Sequence, residues 1–211
     1  MITYFKEGKD IHVMTAAEIR GIAPENVTAE MRHLAKMVNF GIIYGLGRNG
    51  LAEGADISKE EAGKFIEKYF TVYPQIREYI EELREEAREK EYAETLFGRR
   101  RYLPEINSDI QVLKAEAERA AINMPIQGLA ADLIKTAMVE IDKKLVVFDD
   151  DVKIISQIHD ELLFEVKDEK IKEVAMVIKK VMENPPISLT VPIKIEVKTG
   201  KNWGTLEVFN F

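Results

Sequence analysis

The chain has 211 residues, of which 46% are hydrophobic and 32% charged, with 12 Gly and 7 Pro, the composition of a soluble globular protein of one or two domains. No apolar run approaches the roughly 20 residues that span a membrane, the opening MITYFKEGKDIH lacks the order of a signal peptide, and the absence of Cys excludes disulfides and thiolate metal sites. A net charge of −7 argues against nucleic-acid binding as a property of the whole surface, and a cytoplasmic or nucleoid location is the expectation.

The segment from Phe5 reads as a turn feeding a short helix that Asp10 caps and that ends near Gly21. Pro24, Glu25 and Asn26 make a turn, and Thr28 or its neighbours start the next helix. That helix carries the string RHLAKMVNFGIIYG from Arg32 to Gly45, in which Arg32, Lys36, Phe40 and Tyr44 recur every fourth residue. Four helical residues advance about 400°, so these side chains share one broad face over about 18 Å of axis. Read alone, the cations are a solvated face and the aromatics belong to a core. Read together, they suit a polyanion at one end and a flat ring at the other.

Gly45, Gly47, Gly50 and Gly54 then break the helix. Ser58 followed by Glu61 is a capping box that opens a helix to about Phe70, and Pro74 starts another with Ile76, Ile80, Leu83 and Ala87 on one face. Glu86 and Lys90 are placed as an ion pair on its outer side. Between Lys59 and Glu94 there are 11 Glu and 7 Lys or Arg, so much of the acidity is local and a basic groove elsewhere is possible. Cations gather at Arg32–Lys36, Arg48 and the loop TLFGRRRYLP, where Arg99, Arg100 and Arg101 would fan outward.

Helical pattern resumes from Lys114 to about Leu145 and is interrupted at Met124-Pro125, with Arg119, Asn123 and Gln127 every fourth residue. The period then changes. Val152–Ile158 and Leu162–Val166 read as strands of a hairpin with His159, Asp160 and Glu161 at its tip. Glu169 to Met182 is helical, and VPIKIEVK from Val191 alternates as a half-buried strand. Two adjacent carboxylates on a tight hairpin offer hard oxygens to Mg²⁺, which binds one or two carboxylates plus substrate phosphates.

The string Arg-x-x-x-Lys-x-x-x-Phe-x-x-x-Tyr-Gly resembles the fingers helix of family A DNA polymerases, the DNA polymerase I type. Asp10-Ile11-His12-Val13-Met14-Thr15, the Arg99–Arg101 loop, Asn123-Met-Pro-Ile-Gln-Gly and Ile158-His159-Asp160-Glu161-Leu162 resemble further stretches of the same family. The resemblance implies an α+β chain, a helical fingers subdomain joined to an antiparallel-sheet palm subdomain in an incomplete polymerase right hand. It implies residues 1–24 as a palm-to-fingers segment, 25–108 as fingers and 109–211 as palm.

The resemblance also implies roles. His12, Arg32, Lys36, Phe40 and Tyr44 bind nucleotide, with Lys36 a proton donor to the departing pyrophosphate. Gly45, Arg99, Arg100, Arg119, Asn123, Gln127 and His159 contact primer-template DNA. Asp160, with Glu161 subsidiary, binds Mg²⁺ in a two-metal site whose other Asp belongs to a motif upstream of Asp10 and is not in this chain. The expected partners are therefore primer-template DNA, a dNTP, and an N-terminal polymerase portion or separate chain supplying the missing Asp and the thumb. The chain alone is expected to be inactive. Two alternatives stay open, a single-subunit RNA polymerase relative and a non-catalytic DNA-binding or assembly subunit.

Overall fold

Asp10 accepts hydrogen bonds from the backbone N–H groups of His12 at 2.9 Å and Val13 at 3.1 Å, and so starts a helix where the sequence places one. A computed structural model describes all residues, 1–211. The elements before the first strand are helices α1 (Ile2–Lys6), α2 (Ile11–Arg20), α3 (Ala29–Ile43), α4 (Arg48–Ala55), α5 (Lys59–Val72) and α6 (Pro74–Lys90). Helix α1 runs into the segment from Phe5 that the sequence reads as a turn. With no buried residue and no side-chain cap, it leaves no amphipathic signal to find.

Other boundaries follow local chemistry. Thr28 Oγ1 accepts from Met31 N at 3.3 Å to start α3. Ser58 and Glu61 form the full reciprocal capping box of α5, an arrangement whose loss costs about 1 kcal/mol. Pro74 stands in the first turn of α6, where its missing N–H costs no hydrogen bond. Glu86 and Lys90 pair across one turn of that helix.

The stretch after α6 is not a plain loop. Strands β1 (Tyr92–Glu94) and β2 (Arg100–Tyr102) pair antiparallel with Ala93 opposite Arg101. Three-residue strands of mixed polarity carry too little alternation to be read from sequence. Helix α7 (Gln111–Asn123) leads through a π-helical turn, Met124–Gly128, into α8 (Leu129–Leu145). Pro125 therefore widens the helix at this point without breaking it. The turn packs closely on the β1–β2 hairpin, since a methyl group on Gly128 would lie 2.5 Å from Cγ2 of Thr95.

Residues Met1–Leu129 form one compact unit and Ala130–Phe211 a second. The first has a core of Val38, Ile42, Leu51, Phe65, Tyr69, Tyr73, Ile80 and Ile122. A smaller cluster joins Ala87, Ala93, Leu103, Ile106 and Ala121. Leu51 and Ile106 are fully buried, each stabilising by about 1.5–3 kcal/mol.

The second unit holds most of α8, then β3 (Val152–Ile158), β4 (Glu161–Val166), α9 (Ile171–Glu183), β5 (Lys198–Thr199) and β6 (Glu207–Val208). Val152, Val174, Ile141 and Phe148 are the centre of its core. The β3–β4 pairing is antiparallel, with a bulge that leaves Ile155 unpaired between Ile154 and Ser156.

The strand expected over Val191–Lys198 is corrected here. Burial alternates along it as the sequence requires, but regular pairing begins only at Lys198, opposite Val208. Upstream of that, the backbone is held by α9. Ile195 N–H donates to Glu183 Oε1 at 3.1 Å, and Pro192 has no N–H to give a ladder. Alternation reports which face is covered. It does not supply a neighbouring strand.

Candidate functional site

On α3, Ala35, Val38 and Ile42 point into the core. Arg32 is half-buried at the margin, Lys36 is exposed, and Phe40 and Tyr44 are 49% and 47% exposed. The aromatic pair is therefore not core. A helix that leaves two large rings and a lysine facing solvent has a face that the core does not use. Tyr44 stands at the helix C-terminus, its N–H bonded to the carbonyl of Gly41 at 3.0 Å.

Helix α2 supplies a second wall. The His12 ring lies 5.6 Å from that of Phe40, tilted by 45°. Asp10 Oδ2 accepts from both Nε and Nη2 of Arg32 at 2.8 Å, tying the start of α2 to α3. Partial burial works against the Asp10 charge, but the N–H groups of Val13 and His12 and the Arg32 guanidinium hold its pKa below the usual carboxylate value. His12 is pushed down, first by desolvation and then by Arg32 and Lys36, with Asp10 opposing. The ring is thus neutral near pH 7 and has one N–H to donate. Two cations, one N–H donor and an aromatic face together can hold an anion beside a flat or apolar group.

Further along the same unit, Gly45 adopts a left-handed backbone (φ +69°) hard against the side chain of Arg119. Arg119 and Gln127 are exposed, whereas Asn123 is half-buried with its Oδ1 shielded and unpaired within the chain. The π turn begins after Asn123 and includes Gln127, so the fourfold spacing of these polar residues does not remain one straight helical row.

Arg99 and Arg100 lie on the exposed β1–β2 hairpin, and both are engaged. Arg100 donates to Glu94 Oε2 at 2.9 Å and covers the ring of Tyr92 at 4.4 Å. An exposed pair of this kind is weak and screened by solvent, so a phosphate can compete for the guanidinium. Arg101 is exposed and forms no ion pair.

In the second unit His159 and Asp160 form the two-residue turn between Ile158 and Glu161. His159 has φ +54°, and its carbonyl accepts from Gln157 Nε2 at 3.1 Å. A left-handed non-glycine residue costs about 1–2 kcal/mol, which is strain stored at the tip. His159, Asp160 and Glu161 are all exposed. Asp160 and Glu161 offer carboxylate oxygens on a backbone held by pairing on both sides, a partial donor set that fits Mg²⁺ with phosphates and water as its other ligands. No group of three or more His, Cys, Asp or Glu residues is gathered as a complete cation site.

The predicted residues thus fall into local groups. His12 meets Phe40, and Arg32 is tied to Asp10 at the start of the same helix as His12. Gly45 and Arg119 meet. Arg99 and Arg100 share a hairpin, and His159, Asp160 and Glu161 share another. Sequence reasoning missed Asn39, whose Nδ2 is 3.0 Å from His12 Nδ1, and Thr15, which Asn39 also contacts at 3.1 Å. It also missed Asp132, a carboxylate buried and partnered in α8. Asn39 lies within the string already singled out, but nothing in its spacing distinguishes it from a spacer.

The sequence model of DNA polymerase family A matches residues 1–205. DNA polymerase I of Rhizobium leguminosarum is 46% identical over 204 residues, covering 94% of this chain and 20% of that protein. A thermostable DNA polymerase I of Thermus thermophilus is 45% identical over 203 residues, covering 96% of this chain and 24% of that one. Among solved structures, the POL domain of Pol1 from M. smegmatis, in complex with DNA primer-template and dNTP, matches with a TM-score of 0.86 and 39% identity. That match covers 92% of this chain and 34% of the other. The chain accordingly spans between a fifth and a quarter of the length of these curated relatives.

Proposed function

The chain belongs to DNA polymerase family A, and on that footing we propose that it forms the fingers and part of the palm of an enzyme of template-directed DNA synthesis. The observation that carries this reading is the outward face of α3, with Arg32, Lys36, Phe40 and Tyr44 turned from the core and His12 set beside Phe40. The residue ranges 1–24, 25–108 and 109–211 are its palm-to-fingers, fingers and palm segments.

In this reading Arg32, Lys36 and the His12 N–H hold the triphosphate of an incoming dNTP. Phe40 packs at the sugar, and Tyr44 and Gly45 border the templating base. The primer 3′-hydroxyl releases its proton to solvent as its oxygen bonds to the α-phosphorus and the bond to the bridging oxygen of the leaving pyrophosphate breaks, and Lys36 gives that oxygen a proton. Charge stabilisation and in-line placement carry the rate. Arg119, Asn123 and Gln127 face the primer and minor groove, where donors meet acceptors common to every correct pair. Arg99 and Arg100 contact backbone phosphate, and His159 the primer terminus. Asp160, with Glu161 beside it, would hold Mg²⁺, which when bound supplies activation of the nucleophile and neutralisation of the leaving charge.

The second metal-binding carboxylate and the thumb come, in this proposal, from an N-terminal polymerase portion, either joined to these residues or carried by a separate chain. The place of work is the nucleoid. Primer extension with Mg²⁺ tests the reading, with the chain alone and with an added fragment bearing the upstream Asp motif. Synthesis should appear on combination and vanish in Asp160→Ala. Extension by Asp160→Ala at the parent rate would refute the metal assignment.

A further inference from the structure

A continuous file of polar groups runs away from His12 through the first unit. Asn39 Nδ2 lies 3.0 Å from His12 Nδ1 and 3.1 Å from Thr15 Oγ1. Thr15 Oγ1 lies 3.4 Å from the Tyr73 hydroxyl, and that hydroxyl bonds to Glu18 Oε2. The other oxygen of Glu18 accepts from the Tyr4 hydroxyl. Thr15 and Tyr73 are buried, whereas Glu18 is exposed at the far end.

Proton counting gives the file a direction. An ionised carboxylate only accepts, so Tyr73 must give its single proton to the bond with Glu18. Burial and then the bond to Glu18 push the Tyr73 phenol up, so it keeps that proton. The Thr15 hydroxyl then donates to the Tyr73 oxygen or to Asn39 Oδ1, 3.3 Å away, and in either case its oxygen accepts from Asn39 Nδ2. The Asn39 carboxamide then faces both Thr15 and His12 with its NH₂ group. A ring nitrogen that accepts from an amide carries no proton, so the proton of a neutral His12 sits on Nε2.

We propose that Asn39 is a positioning residue that holds His12 in its Nε2–H tautomer, with the amide itself oriented by Glu18 through Tyr73 and Thr15. This rests on the reading of α3 and His12 as a nucleotide face, and it states what that face presents. The imidazole donates from its outer nitrogen to a phosphate oxygen and withholds the lone pair that would repel it. The other charged groups facing the ring are Asp10 from the start of α2 and Arg32 and Lys36 from α3. Arg32 and Lys36 disfavour a second proton on the ring, so an amide is the fitting neighbour where a carboxylate would invite one.

Nitrogen-15 NMR of the chain tests this directly, since only His12, His33 and His159 have to be assigned. At neutral pH His12 should show the Nε2–H pattern. Asn39→Asp replaces the donor by an acceptor of the same shape, and should move the proton to Nδ1 and shift the titration midpoint upward. Glu18→Gln, an exposed change remote from the ring, should leave a mixture of tautomers. An Nδ1–H ring in the parent, or an Asn39→Asp spectrum identical to the parent's, overturns the assignment to Asn39. An unmixed Nε2–H ring in Glu18→Gln removes Glu18 from it. Titration with dATP separates the two readings. An Nε2–H ring whose signals ignore dATP upholds the tautomer assignment and refutes the nucleotide face.

Discussion

A methyl group on Gly45 would lie 2.5 Å from Cγ of Arg119, so the end of α3 and the middle of α7 touch where only hydrogen fits. The same position needs φ +69°, which a side chain resists. Gly45→Ala should therefore lose about 1–2 kcal/mol from backbone strain, with a further loss from displacing Arg119. In chemical denaturation, Gly45→Ala combined with Arg119→Ala should be less destabilised than the sum of the single changes. Additive losses would show that the two side chains do not compete for this space.

Asp10 caps α2 and pairs with Arg32, and Asn at this position keeps the cap while losing the charge. Because the folded pKa of Asp10 lies below its ordinary value of 3.8, its ionic contribution is complete above that pH and is lost as pH falls through the depressed pKa. The stability gap between parent and Asp10→Asn should be constant at neutral pH, close in acid below about pH 4, and shrink with added salt. Urea denaturation across pH reads all three trends.

His159 bears a conformational cost at the hairpin tip that Gly would not. His159→Gly should raise stability by up to about 1 kcal/mol while lowering primer extension in the reconstituted enzyme. A gain in stability with full activity would remove His159 from the primer terminus.

Lys36 and Phe40 are exposed, so their loss should hardly touch folding. Lys36→Ala should stay within about 0.5 kcal/mol of the parent in stability yet slow extension strongly. Phe40→Tyr should ease incorporation of dideoxynucleotides. Unchanged dideoxy discrimination in an active assembly would remove Phe40 from the sugar site.

What could be read without coordinates was whatever repeats or caps locally. Ser58 with Glu61, Pro74, and Asp10 announced helix starts by chemistry confined to three or four residues, and the structure uses each of them. The β3–β4 hairpin was legible because apolar runs flank His159, Asp160 and Glu161, although Glu161 pairs with Ile158 and only His159 and Asp160 form the turn. Helix α1 and the β1–β2 hairpin were not, because both are too short to build a periodic signal. The Val191–Lys198 stretch shows the converse, a clear alternation whose regular pairing starts only at Lys198.

For the candidate site, residue order alone supplied the inventory: two cations and two rings in step on α3, three Arg in a row, and a paired carboxylate at a tip. Helical and strand periods are properties of consecutive residues, so composition and spacing suffice for them. Packing set which way those faces turn and what stands beside them. Phe40 and Tyr44 are exposed because Ala35, Val38 and Ile42 take the core side of α3. Asn39 meets His12 only because α2 packs against α3, a contact between residues 27 apart in the chain. Hydrogen-bond direction along Asn39, Thr15, Tyr73 and Glu18 depends on which groups are forced into neighbourhood, and no local pattern encodes that.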